Sequence, residues 1–149
     1  MIQRKQSIYL LLSIAAFVAS YFFPFGQFAQ HELYAYHVKD LAGAPVEGIS
    51  HLWFHAPYAM AALVSAVAIF FYSNRQKQMA VLRLTFILFA VSFALMAFYI
   101  RGAAAGLNDT DFMPGVSFFL VFVSFVLNMF ALRAIKKDDM LVRSVDRIR

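Results

Sequence analysis

The chain of 149 residues contains no cysteine, one tryptophan, four prolines and only 14% charged residues. Without cysteine there is no disulfide, thiolate metal ligand, iron-sulfur cluster or thiol nucleophile, which excludes dithiol oxidoreductase chemistry. The scarcity of charge, beside 62% hydrophobic and 17% aromatic residues, departs from the mix of a soluble domain and points to an integral membrane protein. A chain of this length holds one such domain at most.

Four apolar runs are long enough, or nearly so, to cross a bilayer. They cover residues 8–25, 51–72, 80–100 and 114–135. The first also resembles the apolar core of a secretory signal peptide, but the aromatic run Tyr21, Phe22, Phe23, Phe25 suits an interface anchor and favours a retained span. Pro57 leaves two starts for the second helix. A start at Ser50 bends the second turn at Pro57, and a start near Ala56 puts Pro57 in the favoured first position. Pro114 is well placed as the first residue of the fourth helix, and Arg101 to Met113 reads as a second outer loop.

Between the hydrophobic runs, Gln27 to His55 form a polar island. Polar and apolar residues alternate from Gln27, and Lys39 to Pro45 supplies turn residues, so a β-hairpin over Leu33 to Gly48 is expected. Orientation follows from the cations: with both termini inside, that side holds eleven of the thirteen basic residues, and only Lys39 and Arg101 fall outside. Tyr21, Trp53, Tyr58 and Tyr99 then lie at the outer interface. The net charge of +5 therefore reports orientation and contact with anionic lipid head groups, and argues against a nucleic-acid partner.

All four histidines, His31, His37, His51 and His55, lie in or beside the island together with Trp53. His51 and His55 are four apart, so on a continuous helix they share one face, and with His31, His37 or Glu47 they would complete a zinc site. The bland alternative is a set of interfacial histidines bonded to loop carbonyls. Spans one, three and four lack histidine, which argues against haem held between facing helices. A pH-responsive loop is a third reading, with Glu32 partnering His31 or His37. No acidic residue lies within the spans, and Arg83 is near enough to an end to snorkel, so the midplane charges of a typical transporter are missing. Ser13, Ser20, Ser65, Thr85, Ser92, Ser117, Ser124 and Asn128 are of the kind that bond to backbone carbonyls or stitch helices together.

The last residues are charged, yet Leu141, Val145 and Ile148 keep one helical face and Asp139, Arg143 and Arg147 another. A cytoplasmic amphipathic helix is expected over residues 136–149, either docking on lipid or a partner through Lys136, Lys137, Arg143, Arg147 and Arg149, or simply continuing the fourth span.

Two terminal stretches, Met1 to Leu12 with Arg4 and Lys5, and Ala134 to Arg149, resemble the bacterial family called domain of unknown function 4293. The resemblance implies a small four-span protein of the bacterial inner membrane and carries no reaction or cofactor. Its two motifs fall on the cytoplasmic side, away from the histidines. The expected fold is thus an all-α membrane protein: a four-helix bundle, an extracytoplasmic β-hairpin between helices one and two, and a cytoplasmic amphipathic C-terminal helix. The expected function is that of a non-enzymatic accessory or scaffolding subunit, anchored by Arg4 and Lys5 and docking a protein partner through its basic tail. The alternatives are a zinc-binding membrane protein and a transporter of an apolar or lipidic cargo.

Overall fold

The computed structural model describes residues 3–28, 30–35, 38–40, 42–44, 55–107 and 111–146. In chain order the elements are α1 (Gln3–Ser20), β1 (Gly26–Phe28), β2 (His31–Leu33), β3 (Val38–Asp40), α2 (His55–Phe70), α3 (Arg75–Leu107), β4 (Met113–Pro114) and α4 (Val116–Asp146). The four helices pack in a ring, each against its neighbours in sequence, with α4 closing most closely onto α1. Two of them, α3 and α4, are long and apolar enough to cross a membrane, while α1 and α2 are shorter apolar helices.

Helix α3 is longer than its apolar run because both ends are fixed by polar and small residues. Asn74 Oδ1 accepts a hydrogen bond from the Lys77 amide at 3.1 Å, an N-cap that lets the helix begin at Arg75 inside the expected polar turn. At the other end, Gly102 to Leu107, expected in a loop, remain helical. Ala103 is buried there against Phe28, Leu33 and Val38 of the sheet, and this packing outweighs the low helix propensity of the two glycines. The second helix begins at His55, so Pro57 falls in its first turn, where the missing N–H costs no hydrogen bond. Residues 51–54 lie outside the described set.

The hairpin is displaced from its expected place. A four-stranded antiparallel sheet has the order β3-β2-β1-β4. Phe28 stands opposite His31 and Leu33 opposite Val38, so the chain doubles back before Leu33 as well as after it. The fourth strand comes from the second connection, with Gly26 opposite Pro114. Pro114 therefore sits on an edge strand, where it withholds no ladder bond, and α4 starts two residues later than expected. Phe25, expected as part of an interface anchor, is fully buried with Met96, while Phe22 and Phe23 are exposed.

The joint between α1 and α4 is closed by backbone. Gly115 N–H donates to Phe25 O at 2.9 Å and Ser117 N–H to Pro24 O at 3.2 Å. Ser117 Oγ lies 2.7 Å from both the Ser20 and Phe23 carbonyl oxygens. The segment after α1 thus satisfies polar groups left open at the start of α4.

The C-terminal segment is helical, as expected, and α4 runs unbroken to Asp146. It is a continuation of the fourth apolar run, with Ile135 and Asp138 still buried.

Candidate functional site

The most concentrated chemistry is a buried polar centre contributed by three helices. Ser13 of α1 and Ser124 of α4 bond reciprocally: Ser13 Oγ donates to Ser124 O at 3.2 Å, and Ser124 Oγ donates to Ser13 O at 3.1 Å. Asn128, one turn along α4, donates from Nδ2 to Ser13 Oγ at 2.6 Å and to Ser124 O at 3.0 Å. Its Oδ1 accepts from Ser65 Oγ of α2 at 2.9 Å; the same hydroxyl lies 2.8 Å from Ala61 O. The Tyr58 hydroxyl reaches Ser124 Oγ at 2.8 Å. Since the Ser124 proton is directed at Ser13 O, Tyr58 is the donor in that pair.

Both polar atoms of the Asn128 side chain are therefore engaged, and the Ser13 and Ser124 hydroxyls bond across the α1/α4 seam in opposite directions. A network of this kind fixes helix register. On α3, Thr85 and Ser92 bond instead to Leu82 O and Leu88 O of their own helix. The serines and Asn128 are legible in the sequence as helix stitches. Tyr58 is not, because a tyrosine near a span end reads as an interface anchor; here it is 1% exposed, edge-on to Phe17 at 4.8 Å.

The two described histidines, His31 and His55, lie on different elements. His55 is buried at the start of α2, its ring 5.5 Å from Tyr21 and 6.5 Å from Tyr58. His31 lies in β2 opposite Asp40 of β3. Glu32 points to the other side of the sheet and accepts from the Tyr34 hydroxyl at 3.0 Å, so the expected Glu32 partnership with His31 is absent. His37, His51, Glu47 and Trp53 lie outside the described residues, and among those described no group of three His, Asp or Glu side chains is arranged to hold a metal ion.

At the opposite end of the bundle Arg75 Nε donates to Asp138 Oδ2 at 2.7 Å, and Gln78 Nε2 to Ala68 O at 3.0 Å. Both residues of the ion pair were legible as charges and neither as a partner, since 63 positions separate them. The Asp138 side chain is 9% exposed and that of Arg75 26%. Asp138→Ala is expected to cost about 1–2 kcal/mol, the range between an exposed and a buried pair. The exchange Arg75→Asp with Asp138→Arg should recover at least half of the loss in thermal unfolding. Of the expected docking residues, Lys136 and Lys137 are exposed on α4 beside this pair. Arg4, Lys5 and Arg143 lie on the backbones of α1 and α4; Arg147 and Arg149 are outside the described residues.

A family model described as a domain of unknown function, DUF4293, matches residues 2–148. The chain belongs to the DUF4293 family. Both terminal stretches that carry the resemblance, apart from Met1 and Arg149, are inside the match, so α1 and α4, which pack on each other in this DUF4293 chain, are the parts that first give it away. Neither a curated protein nor a solved structure matches it.

Proposed function

We propose that this DUF4293 protein is a four-span protein of the bacterial inner membrane, with both termini cytoplasmic, acting as a non-enzymatic accessory or scaffolding subunit. The observation that carries the reading is the inversion of polarity between interior and surface. Ser65, Ser124, Asn128 and Thr85 are fully buried, while Phe70 is 79% exposed, Phe98 76% and Phe22 75%. All four helices carry exposed large apolar side chains, among them Leu11, Leu63, Ile87 and Phe119. Contiguous apolar surface on this scale is costly in water and favourable in lipid. From Arg83 to Arg101 along α3 is about 27 Å, and from Val116 to Arg133 along α4 about 26 Å, close to the roughly 30 Å hydrocarbon thickness of a bilayer.

The accessory role follows from where chemistry remains. The interior polar groups of the network are engaged with one another, which leaves the basic cytoplasmic end and the outer surface of the bundle for recognition. Docking involves Lys136, Lys137, Arg143, Arg147 and Arg149 of the basic tail, with Arg4 and Lys5 of the N-terminal segment as the anchor. The test is the protein composition of the particle extracted from native membranes in mild detergent. A stoichiometric partner is expected; a lone monomer or homo-oligomer would sink the proposal. Arg143→Glu with Arg147→Glu should weaken partner retention about tenfold, the equivalent of 1.4 kcal/mol, while membrane insertion is unchanged. Full retention by that variant would exclude the tail as the contact.

A further inference from the structure

The seam between α3 and α4 is packed less closely than the α1/α4 and α2/α3 seams, and aromatic rings fill it. Phe86 meets Phe125 at 5.6 Å and Phe93 stacks on Phe122 at 4.8 Å. These contacts define which flank of each helix faces the other, and the Arg75–Asp138 pair fixes their level at the inner end.

Three cations fall on those same flanks. Arg83 precedes Phe86 by three residues, one turn of α3. Arg133 follows Phe122, and Lys136 follows Phe125, by eleven residues, which is three turns with only about 20° of rotation. All three are exposed. Counted from the ion pair, Arg83 lies about 12 Å up α3, level with Phe130; Arg133 sits about 4–5 Å and Lys136 about 9 Å below that level. Asp138 does not neutralise them because Arg75 already holds it. Above the cations the seam is apolar and open to the surface, with Phe122 exposed.

We propose that this seam is a binding site for an anionic phospholipid of the inner leaflet, its phosphate held by Arg83, Arg133 and Lys136 and an acyl chain lying along Phe86, Phe93 and Phe122. The site rests on the membrane reading above. Charge complementarity selects the ligand: three exposed cations at the inner end of an apolar, ring-lined seam match a molecule that is anionic at one end and apolar along the rest. A soluble phosphate ester would leave the ring-lined seam uncovered, and a neutral lipid would leave the three cations without a counter-charge.

The test is native mass spectrometry of the full chain in detergent, titrated with phosphatidylglycerol or with phosphatidylcholine of the same acyl chains. The wild type should retain phosphatidylglycerol preferentially. The triple variant Arg83→Gln, Arg133→Gln, Lys136→Gln should lose at least about tenfold in retention. Arg83→Lys with Arg133→Lys should keep the preference, and so should Lys77→Gln with Arg101→Gln, since Lys77 lies about 120° around α3 from Arg83 and Arg101 lies at the other end of the seam. Equal retention of both lipids by the wild type, or a preference that survives in the triple variant, overturns the site and leaves the cations to an acidic protein segment. Competition by glycerophosphoglycerol at the same concentration as the intact lipid overturns the acyl-chain part. Resistance to carbonate extraction reads membrane residence separately. A resistant protein with no lipid preference overturns this site alone, whereas a protein released by carbonate overturns both readings.

Discussion

Gly115→Ala is expected to be the most damaging single-methyl change in the protein. A Cβ at Gly115 would overlap the Pro24 carbonyl oxygen and lie 3.1 Å from the Gly26 nitrogen and 3.1 Å from the Phe25 carbonyl carbon. All three obstacles are backbone, so no rotamer change relieves them. The same peptide units accept from Gly115 and Ser117, and moving them apart would break the bonds that join α1 to α4. Overpacking of this kind costs about 3 kcal/mol. Thermal unfolding in detergent should therefore show a marked loss for Gly115→Ala. Gly102→Ala is the control: nothing lies within 4 Å of its Cβ position, and in a helix interior the change should stabilise by about 0.5–1 kcal/mol. Equal melting temperatures for the two variants would show that the joint is looser than its contacts require.

The second large effect is expected at Asn128. Asn128→Leu keeps the volume and removes three hydrogen bonds, two donated from Nδ2 and one accepted by Oδ1. Interhelical hydrogen bonds in a membrane average about 0.6 kcal/mol each, so the total expected loss is about 2 kcal/mol. The coupling is the sharper readout. Once Asn128 is gone, Ser65 Oγ still has Ala61 O, so Ser65→Ala in the Asn128→Leu background should cost almost nothing. In the wild type the same serine change removes the bond to Oδ1. Additive losses in this cycle would mean that the two residues do not act through one network.

Four apolar runs in the sequence correspond to four helices because length and apolar content are local properties. What escaped the sequence is set by distant residues. The end of α3 depends on Ala103 finding the sheet, and Gly102 to Gly106 carry no trace of that partner in their own composition. Alternation through residues 27–38 is continuous across the β1/β2 reversal, so the period of two identifies extended chain without saying where it turns. The β1/β4 pairing joins Gln27 to Met113, a separation no turn motif reports. At the polar centre, residue type disclosed which side chains would seek partners, but only the packing of α1, α2 and α4 decided that Ser13, Tyr58, Ser65, Ser124 and Asn128 would find one another.

The reciprocal Ser13 and Ser124 bonds also bear on how the protein is made. The two residues are 111 positions apart, and at about 5–20 residues per second the ribosome takes roughly 6–20 s to traverse that distance. For that interval α1 lacks its partner helix, and the Ser13 hydroxyl must be satisfied by its own backbone or by another partner. Completion of the bundle is therefore gated by the arrival of α4, and a chain stalled before that helix would leave the α4-facing side of α1 uncovered.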